Sequence, residues 1–283
     1  MGSSFGCLDS SNYHPWVKMI EPAFTSLVLL WQINYLGLHP LKWWWNKLAM
    51  KPQRDNLDIV TAKVSERIGL GTQRPDFMQG LIGDGEKTGM DFGRLVQNAN
   101  LLIIAGSETT ATLLTAATYF LTMHPEFLGK VVNEVRSTFE SDEDITIHSV
   151  SRLSYMLACL DESLRCFPPA PGGFPRVCPN DQWAVNRDAK FWTEPNRFDP
   201  ERFLGGARYK SDKLDALQAF SVGPRNCLGK NLAYAEMRLI LAKVLFHFDM
   251  AIAEDSRDWV QRSGAYAVWV KPSLNVHLTP RVR

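Results

Sequence analysis

The chain has 283 residues, of which 45% are hydrophobic and 22% are charged, a composition ordinary for a globular protein with a sizeable core. Its formal net charge of +1 gives no reason to expect a nucleic acid or an acidic partner. The five cysteines have neither paired spacing nor a C-x-x-C pattern, which argues against a disulfide scaffold and for a reducing compartment.

The N-terminal segment raises the question of a membrane. We expect no secretory signal, because residues 1–9 lack a charged start and a continuous apolar core. The uncharged run from Pro22 to Leu41 contains two prolines and several polar side chains, so we predict an amphipathic helix rather than a spanning one. Together with the three tryptophans at 43–45, this segment would suit a membrane surface. The plainer alternative is a helix that covers the core.

Three contrasting segments follow. Residues 53–68 are predicted to form a short polar helix, and residues 69–90 a glycine-rich, charged loop. Residues 91–122 are predicted to form a long helix, and Glu108 is the single charged residue between Leu95 and Pro125. A transmembrane helix is the alternative, but the amide and hydroxyl side chains of the stretch suit a helix buried in a protein core better.

Glu108 is a lone carboxylate in this apolar helix, which is costly unless the group is paired or used. Thr109 beside it can donate to the carbonyl one turn back and open the helix locally, and Gly106 leaves room on the same side. A carboxylate next to a hydroxyl can relay protons from solvent, which is general acid chemistry. The alternative is a structural glutamate, either at a helix N-terminus or paired with a distant arginine.

Two more helices and a stiff connection come next. Proline suits the first position of a helix over residues 125–139, and a second helix is predicted from about residue 150 to residue 166. Glu162 and Arg165 are three residues apart, so they share one face of the second helix. Residues 167–177 are rich in proline and are predicted to be extended, because proline fixes φ and keeps its predecessor out of a helix.

The segment Phe220–Gly229 places Cys227 in a glycine-bracketed loop before a predicted helix over residues 228–242. A thiol must lose its proton before it can ligate a metal. The helix N-terminus and the nearby Arg225 both favour the anion, and the glycines let backbone approach a flat ligand closely. The pattern F-x-x-G-x-R-x-C-x-G therefore predicts a thiolate that binds a metal cofactor. The alternative is a buried structural cysteine behind a turn.

This loop resembles the heme-binding loop of the cytochrome P450 family, in which the cysteine thiolate is the axial ligand of the heme iron. Three further motifs resemble that family and occur in its order. They are AGSETT at 105–110, similar to the oxygen-binding stretch of the central helix; ESLR at 162–165, similar to the E-x-x-R helix; and PERF at 200–203, similar to the element that packs against it.

The resemblance implies a role for each motif. Thr109 and Glu108 are assigned to oxygen activation, and Cys227 to the iron of heme b. The residues assigned to heme binding are Cys227, Phe220, Gly223, Arg225, Gly229, Ala105, Gly106 and Arg176. Of these, Arg225 and Arg176 match positions whose guanidinium pairs with a heme propionate, and residues 167–177 match a stretch that lines the substrate site. A buried structural network is implied for Glu162, Arg165 and Arg202.

The resemblance also implies a fold and an activity. The fold would be mainly α with a small β-sheet, and residues 1–283 would be the C-terminal catalytic portion of one cytochrome P450 domain. The activity would be a heme-thiolate monooxygenase that inserts one atom of dioxygen into a small organic substrate, such as a fungal secondary metabolite. Electrons would come from an NADPH-dependent flavoprotein reductase, with the protein at the endoplasmic reticulum membrane or in the cytoplasm. A heme-thiolate isomerase or dehydratase and a catalytically inactive remnant are the alternatives.

Two departures from the family pattern qualify this prediction. Residues 5–9 and 14–17 resemble a mid-chain segment of fungal microsomal members, so we expect this chain to lack the membrane anchor and the early helices of the family. Near residues 180–181 the family usually has a hairpin and a glycine turn, whereas here the two flanks are joined directly. We therefore expect an internal deletion at that point, which would leave a sheet edge with unpaired backbone groups.

Overall fold

The computed structural model describes residues 6, 15–41, 44–45, 51–71, 76–83, 90–172 and 182–282. The described chain is mainly helical with short antiparallel strands, as the resemblance implied. The α-helices are α1 Pro15–Lys18, α2 Ile20–Tyr35, α3 Lys51–Gly69, α4 Phe77–Gly83, α5 Phe92–Met123, α6 Pro125–Thr138, α7 Ser154–Cys166, α8 Gln182–Val185, α9 Lys230–His247 and α10 Trp259–Arg262. The strands are β1 Phe248–Ile252, β2 Gly264–Ala265, β3 Trp269–Val270 and β4 Val276–Pro280.

The chain divides into two units, residues 1–107 and residues 108–283. In the first unit, apolar side chains from α2, α3, α4 and the start of α5 form a small core. Its buried members are Ile20, Val60, Val64, Met78, Leu95, Val96 and Ala99. The apolar positions recur at helical spacing, so each of these helices presents one stripe to the shared core.

Helix α4 corrects the prediction of a loop over residues 69–90. Asp76 accepts the backbone N–H groups of Met78 and Gln79, which satisfies orphan donors at the start of α4. The buried guanidinium of Arg67 donates through Nε and Nη2 to the same carboxylate, at 2.7 and 2.9 Å. The ion pair thus ties the end of α3 to the start of α4, which composition did not reveal.

The larger core lies in the second unit, where the C-terminal half of α5 packs with α6, α7, α9 and β1. Helix α6 begins at Pro125, where a missing N–H costs nothing, and buries Phe127, Val131 and Val135 at four-residue spacing. Helices α5 and α6 match their predicted segments to within one residue at each end, and α9 continues to His247, beyond the predicted end at residue 242. A 3₁₀ turn over Ser149–Arg152 precedes α7, which begins at Ser154 rather than near residue 150.

The strands form two small antiparallel pairs at the C-terminal end of the chain. β1 pairs with β4 with Phe248 opposite Pro280, and β2 pairs with β3. Trp269 of β3 is buried, stacks on Phe167 with ring centroids 4.1 Å apart, and donates its Nε1–H to the carbonyl of Pro168 at 2.7 Å. The aromatic contact therefore fixes the C-terminal hairpin against the segment that follows α7.

Helix α5 is the one helix among the described residues that is long and apolar enough to cross a membrane by length and composition. In its most apolar stretch 28% of the residues are buried. The core helix of a globular protein can have the same length and apolar composition as a membrane-spanning helix. Leu113, Ala117 and Leu121 of α5 belong to the larger core. We therefore interpret α5 as a core helix over its C-terminal half.

Candidate functional site

The Cys227 loop turns sharply just before α9. A 3₁₀ turn spans Gly223–Arg225, and the N–H of Cys227 donates to the carbonyl of Phe220 at 2.8 Å. Gly223 has a φ of +77°, which a residue with a side chain rarely adopts. Helix α9 begins at Lys230, so the cysteine lies three residues before its first turn, close to the predicted position. The local field of the helix terminus there favours a negative group.

Exposure distinguishes Cys227 from the other two described cysteines. Its thiol is free and exposed, whereas Cys159 and Cys166 are buried. Burial raises the pKa of Cys166 to about 12 and also raises the pKa of Cys159, so neither forms a thiolate at neutral pH. Of the described cysteines, Cys227 is the one that a ligand can reach.

The surroundings of Cys227 fit a flat apolar group that brings its own metal ligands. Leu228 is 94% exposed and Val222 60% exposed, although apolar side chains of this size are normally covered. A Cβ at Gly223 would meet nothing within 4 Å, and one at Gly229 would meet the Sγ of Cys227 at 3.9 Å. Among the described residues, His, Cys, Asp and Glu form no group of three that could hold a bare metal ion. One exposed thiol can ligate a metal whose remaining ligands come from a cofactor.

The structure brings Glu162, Arg165 and Arg202 together, and all three are buried. Arg165 contacts the carboxylate of Glu162 through Nε at 2.7 Å and through Nη2 at 2.8 Å. The Nε of Arg202 lies 3.4 Å from Oε2 of the same carboxylate. Two guanidinium groups thus share one carboxylate, and a buried cluster of this kind needs further partners to be stable.

Backbone carbonyls and a second carboxylate complete the cluster. Arg165 also donates to the carbonyls of Asn186, Pro195 and Arg197, at 2.6–2.9 Å. Arg202 donates to Asp212, which supplies the second negative charge. Sequence reasoning missed Asp212, because no motif spacing marks it. The network therefore joins α7 to the connection that runs from residue 186 to residue 212.

A second link runs from α7 to the Cys227 loop. The hydroxyl of Tyr234 on α9 donates to Asp161 of α7 at 2.6 Å, and the Tyr234 ring lies 5.1 Å from that of Phe220. Burial raises the pKa of Asp161. A cavity of about 150 Å³ lies behind the loop, and its lining includes Leu164, Phe220 and Tyr234. Phe220 thus packs against Tyr234, which the sequence motifs did not include.

Glu108 lies in an ion pair with Lys271, which follows β3. Lys271 also donates to the hydroxyl of Thr112 at 2.8 Å, and this hydroxyl lies 3.2 Å from Oε1 of Glu108. The partner is a lysine near the C-terminus rather than the distant arginine considered from the sequence. Sequence reasoning could not find it, because 163 residues separate the two groups.

The predicted local opening of the helix near Thr109 is not seen, because α5 is α-helical throughout Phe92–Met123. Ser107 and Thr115 show the reason, since their hydroxyls donate to carbonyls one turn back while the backbone continues as a helix. Ala105 and Gly106 are exposed on α5 in the first unit. Arg176 and the expected deletion near 180–181 lie outside the described residues.

Comparisons with known proteins match nearly the whole chain. The family described as Cytochrome P450 matches residues 1–278. Trichothecene C-15 hydroxylase of Fusarium sporotrichioides is 45% identical, over 99% of this chain and 62% of that protein. Cytochrome P450 monooxygenase tpeC of Talaromyces stipitatus is 44% identical, over 99% of this chain and 58% of that protein. Cytochrome P450 monooxygenase 1 of Neocamarosporium betae is 41% identical, over 100% of this chain and 61% of that protein. The chain thus spans about three fifths of the length of these relatives.

Proposed function

The chain belongs to the cytochrome P450 family, and from that membership we propose that it carries the heme-thiolate site of a monooxygenase. The observation that carries the proposal is the exposed thiol of Cys227 in a glycine-bracketed loop at the start of α9. Heme held by this thiol would supply dioxygen activation, which donation from a thiolate favours. The other named residues hold the cofactor, support the loop or move protons.

The reaction proposed is the insertion of one oxygen atom into a C–H bond of a small organic substrate. It consumes one dioxygen, two electrons and two protons, and the second oxygen atom leaves as water. NADPH supplies the electrons through a separate flavoprotein reductase, and solvent supplies the protons. Glu108 and Thr109 are proposed to pass these protons inward, since a partly exposed carboxylate beside a hydroxyl is suited to proton transfer.

Cofactor binding is proposed for the residues around the thiol and on α5. Arg225 and Arg176 would pair with carboxylates of the heme, and Gly223 and Gly229 would let the backbone approach it. A role in heme binding is also proposed for Phe220, Ala105 and Gly106, because their segments resemble the motifs of the family. The network of Glu162, Arg165 and Arg202 is proposed as the support of the loop, not as catalytic machinery.

A fungal secondary metabolite is proposed as the class of substrate. Two named relatives support this proposal, because one is a trichothecene C-15 hydroxylase and another a monooxygenase of a fungus. The pair of Glu108 and Thr109 favours oxygen chemistry over the isomerase and dehydratase alternatives, which need no proton delivery to oxygen.

Contact with a membrane surface, such as that of the endoplasmic reticulum, is proposed for the segment around α2. Its exposed apolar residues are Leu29, Trp31, Tyr35, Leu36, Leu38, Leu41 and Trp44. A run of this kind suits an interface in which aromatic rings lie at the level of the headgroups.

The test is the absorption spectrum of the reduced, carbon monoxide-bound protein after expression with added heme. We expect the signature of thiolate ligation in the wild type, its loss in Cys227→Ala, and its retention in Cys159→Ala. Cys159 is the matched control, because it is a free cysteine buried in the core. A thiolate signature that persists in Cys227→Ala would refute the proposed site.

A further inference from the structure

The ion pair between Glu108 and Lys271 links the proposed proton path to the C-terminal hairpin. Lys271 donates to Oε1 of Glu108, to the hydroxyl of Thr112 at 2.8 Å and to the carbonyl of Trp269 at 3.3 Å. The side chain of Lys271 is 17% exposed and that of Glu108 is 23% exposed. The pair is therefore shielded enough to be stronger than an ordinary surface ion pair.

The fold fixes the position of the lysine. Trp269, two residues before Lys271, is 5% exposed, stacks on Phe167 and donates to the carbonyl of Pro168. Trp183 packs edge-on against the same indole at 5.1 Å. The backbone that carries the ammonium group is thus anchored on the segment after α7, and the group does not reach Glu108 through a long mobile loop.

The two carboxylate oxygens of Glu108 differ in their hydrogen-bond partners. Lys271 and Thr112 both donate to Oε1. Among the described residues, none donates to Oε2, so that oxygen remains available to a further hydrogen-bond partner. A carboxylate that is held at one oxygen keeps a single orientation, and orientation decides whether a general acid reaches its target.

We propose that Lys271 is a positioning residue, which fixes Glu108 so that Oε2 can deliver protons during dioxygen reduction. This inference rests on the proposed monooxygenase function. Lys271 exchanges no atom with dioxygen: NADPH supplies two electrons through the reductase, and two protons enter from solvent through Glu108. With substrate, one oxygen atom is inserted and the other leaves as water; without substrate, the same electrons and protons reduce dioxygen to hydrogen peroxide. The C-terminal hairpin thereby becomes part of the proton path through a contact that no sequence motif marks.

The first experiment is a double-mutant cycle that needs no turnover. Glu108→Gln, Lys271→Met and the double variant are unfolded in urea. We expect the double variant to be destabilised less than the sum of the single variants. Lys243→Met combined with Glu108→Gln serves as the control pair, because Lys243 is paired with Asp142 instead, and its effects should add. Additive effects of Glu108→Gln and Lys271→Met would overturn the inference.

The second experiment measures NADPH-dependent dioxygen consumption without substrate, with a flavoprotein reductase in air. Lys271→Met should consume dioxygen about tenfold more slowly than the wild type, a fraction of the 10²–10⁴ that a general acid contributes. Its reduced, carbon monoxide-bound spectrum should be unchanged. Lys271→Arg keeps the charge and should restore most of the rate, and Lys243→Met should match the wild type.

The outcomes separate this inference from the proposed function. If the wild type gives no thiolate spectrum or consumes no dioxygen, the proposed function fails, and the urea cycle still decides whether the pair is coupled. If the wild type is active and Lys271→Met is equally active, Lys271 has no positioning role. The same conclusion follows if Lys271→Arg is as slow as Lys271→Met, because the effect would then not depend on charge.

Discussion

The environment of a side chain decides what the same chemical group does in this protein. Cys227 is exposed beside a helix N-terminus, whereas the thiols of Cys159 and Cys166 are held protonated by burial. Asp161 and Asp142 form a similar contrast. Burial raises the pKa of Asp161, whereas hydrogen bonds from Lys243 and His247 lower the pKa of Asp142. Opposite shifts predict opposite dependences of stability on pH.

The residue-scale prediction concerns Asp161→Asn. A raised folded pKa favours the neutral acid, so the stability that this group contributes is present below its unfolded pKa of about 3.9 and is lost as the pH rises through the folded value. The amide keeps an oxygen that can accept from Tyr234 but carries no charge. The wild type should therefore lose stability relative to Asp161→Asn between pH 4 and pH 7, as measured by urea unfolding at both values.

Asp142→Asn provides the control of opposite sign. Its folded pKa is lowered, so the stability from this carboxylate is present above the unfolded pKa and is lost as the pH falls. The wild type should gain stability relative to Asp142→Asn as the pH rises from below 4. If both variants follow the same trend, burial is not the cause of the behaviour of Asp161.

At the scale of elements, buried polar contacts connect segments that are far apart in sequence. The carboxylate of Glu162 is shared by Arg165 on its own helix and by Arg202 in the 3₁₀ turn Pro200–Leu204. Asp161, the neighbouring residue on α7, contacts Tyr234 on α9. Helix α7 therefore contacts the P-E-R-F element on one side and the helix that carries the Cys227 loop on the other.

Arg165→Lys tests the network at this scale. Lysine cannot reproduce the two parallel bonds to Glu162 or the bonds to three carbonyls, so buried acceptors are left unpaired. We expect a loss of about 3–5 kcal/mol in the free energy of unfolding, measured in urea. Arg197→Lys is the matched control, because the Arg197 side chain is 48% exposed, and it should cost at most about 1 kcal/mol. Equal effects of the two substitutions would contradict a special role for the buried network.

At the scale of the whole molecule, the segment around α2 raises the question of where the protein resides. Its exposed tryptophans and leucines form an apolar surface, although Trp43 lies outside the described residues. Replacement of Trp31, Tyr35 and Trp44 by alanine should reduce flotation with liposomes, because aromatic side chains favour the membrane interface. Replacement of the exposed Gln32 and Asn34 by alanine should leave flotation unchanged. Unchanged flotation of the aromatic variant would exclude this segment as the contact.

The sequence by itself determined the family, the longer helices and the identity of Cys227 as the candidate ligand, because those depend on local spacing and on ordered motifs. Only the tertiary structure decided which charged side chains form ion pairs. Lys271 reaches Glu108 across 163 residues, and Asp212 reaches Arg202 only because the chain folds back. The tertiary structure also explains the helix over Phe77–Gly83, which begins next to the ion pair between Arg67 and Asp76. Helices and motifs depend on residues that are close along the chain, so they can be predicted from the sequence. Ion pairs depend on residues that are close in space, and the spacing of residues in one sequence does not show which of them meet.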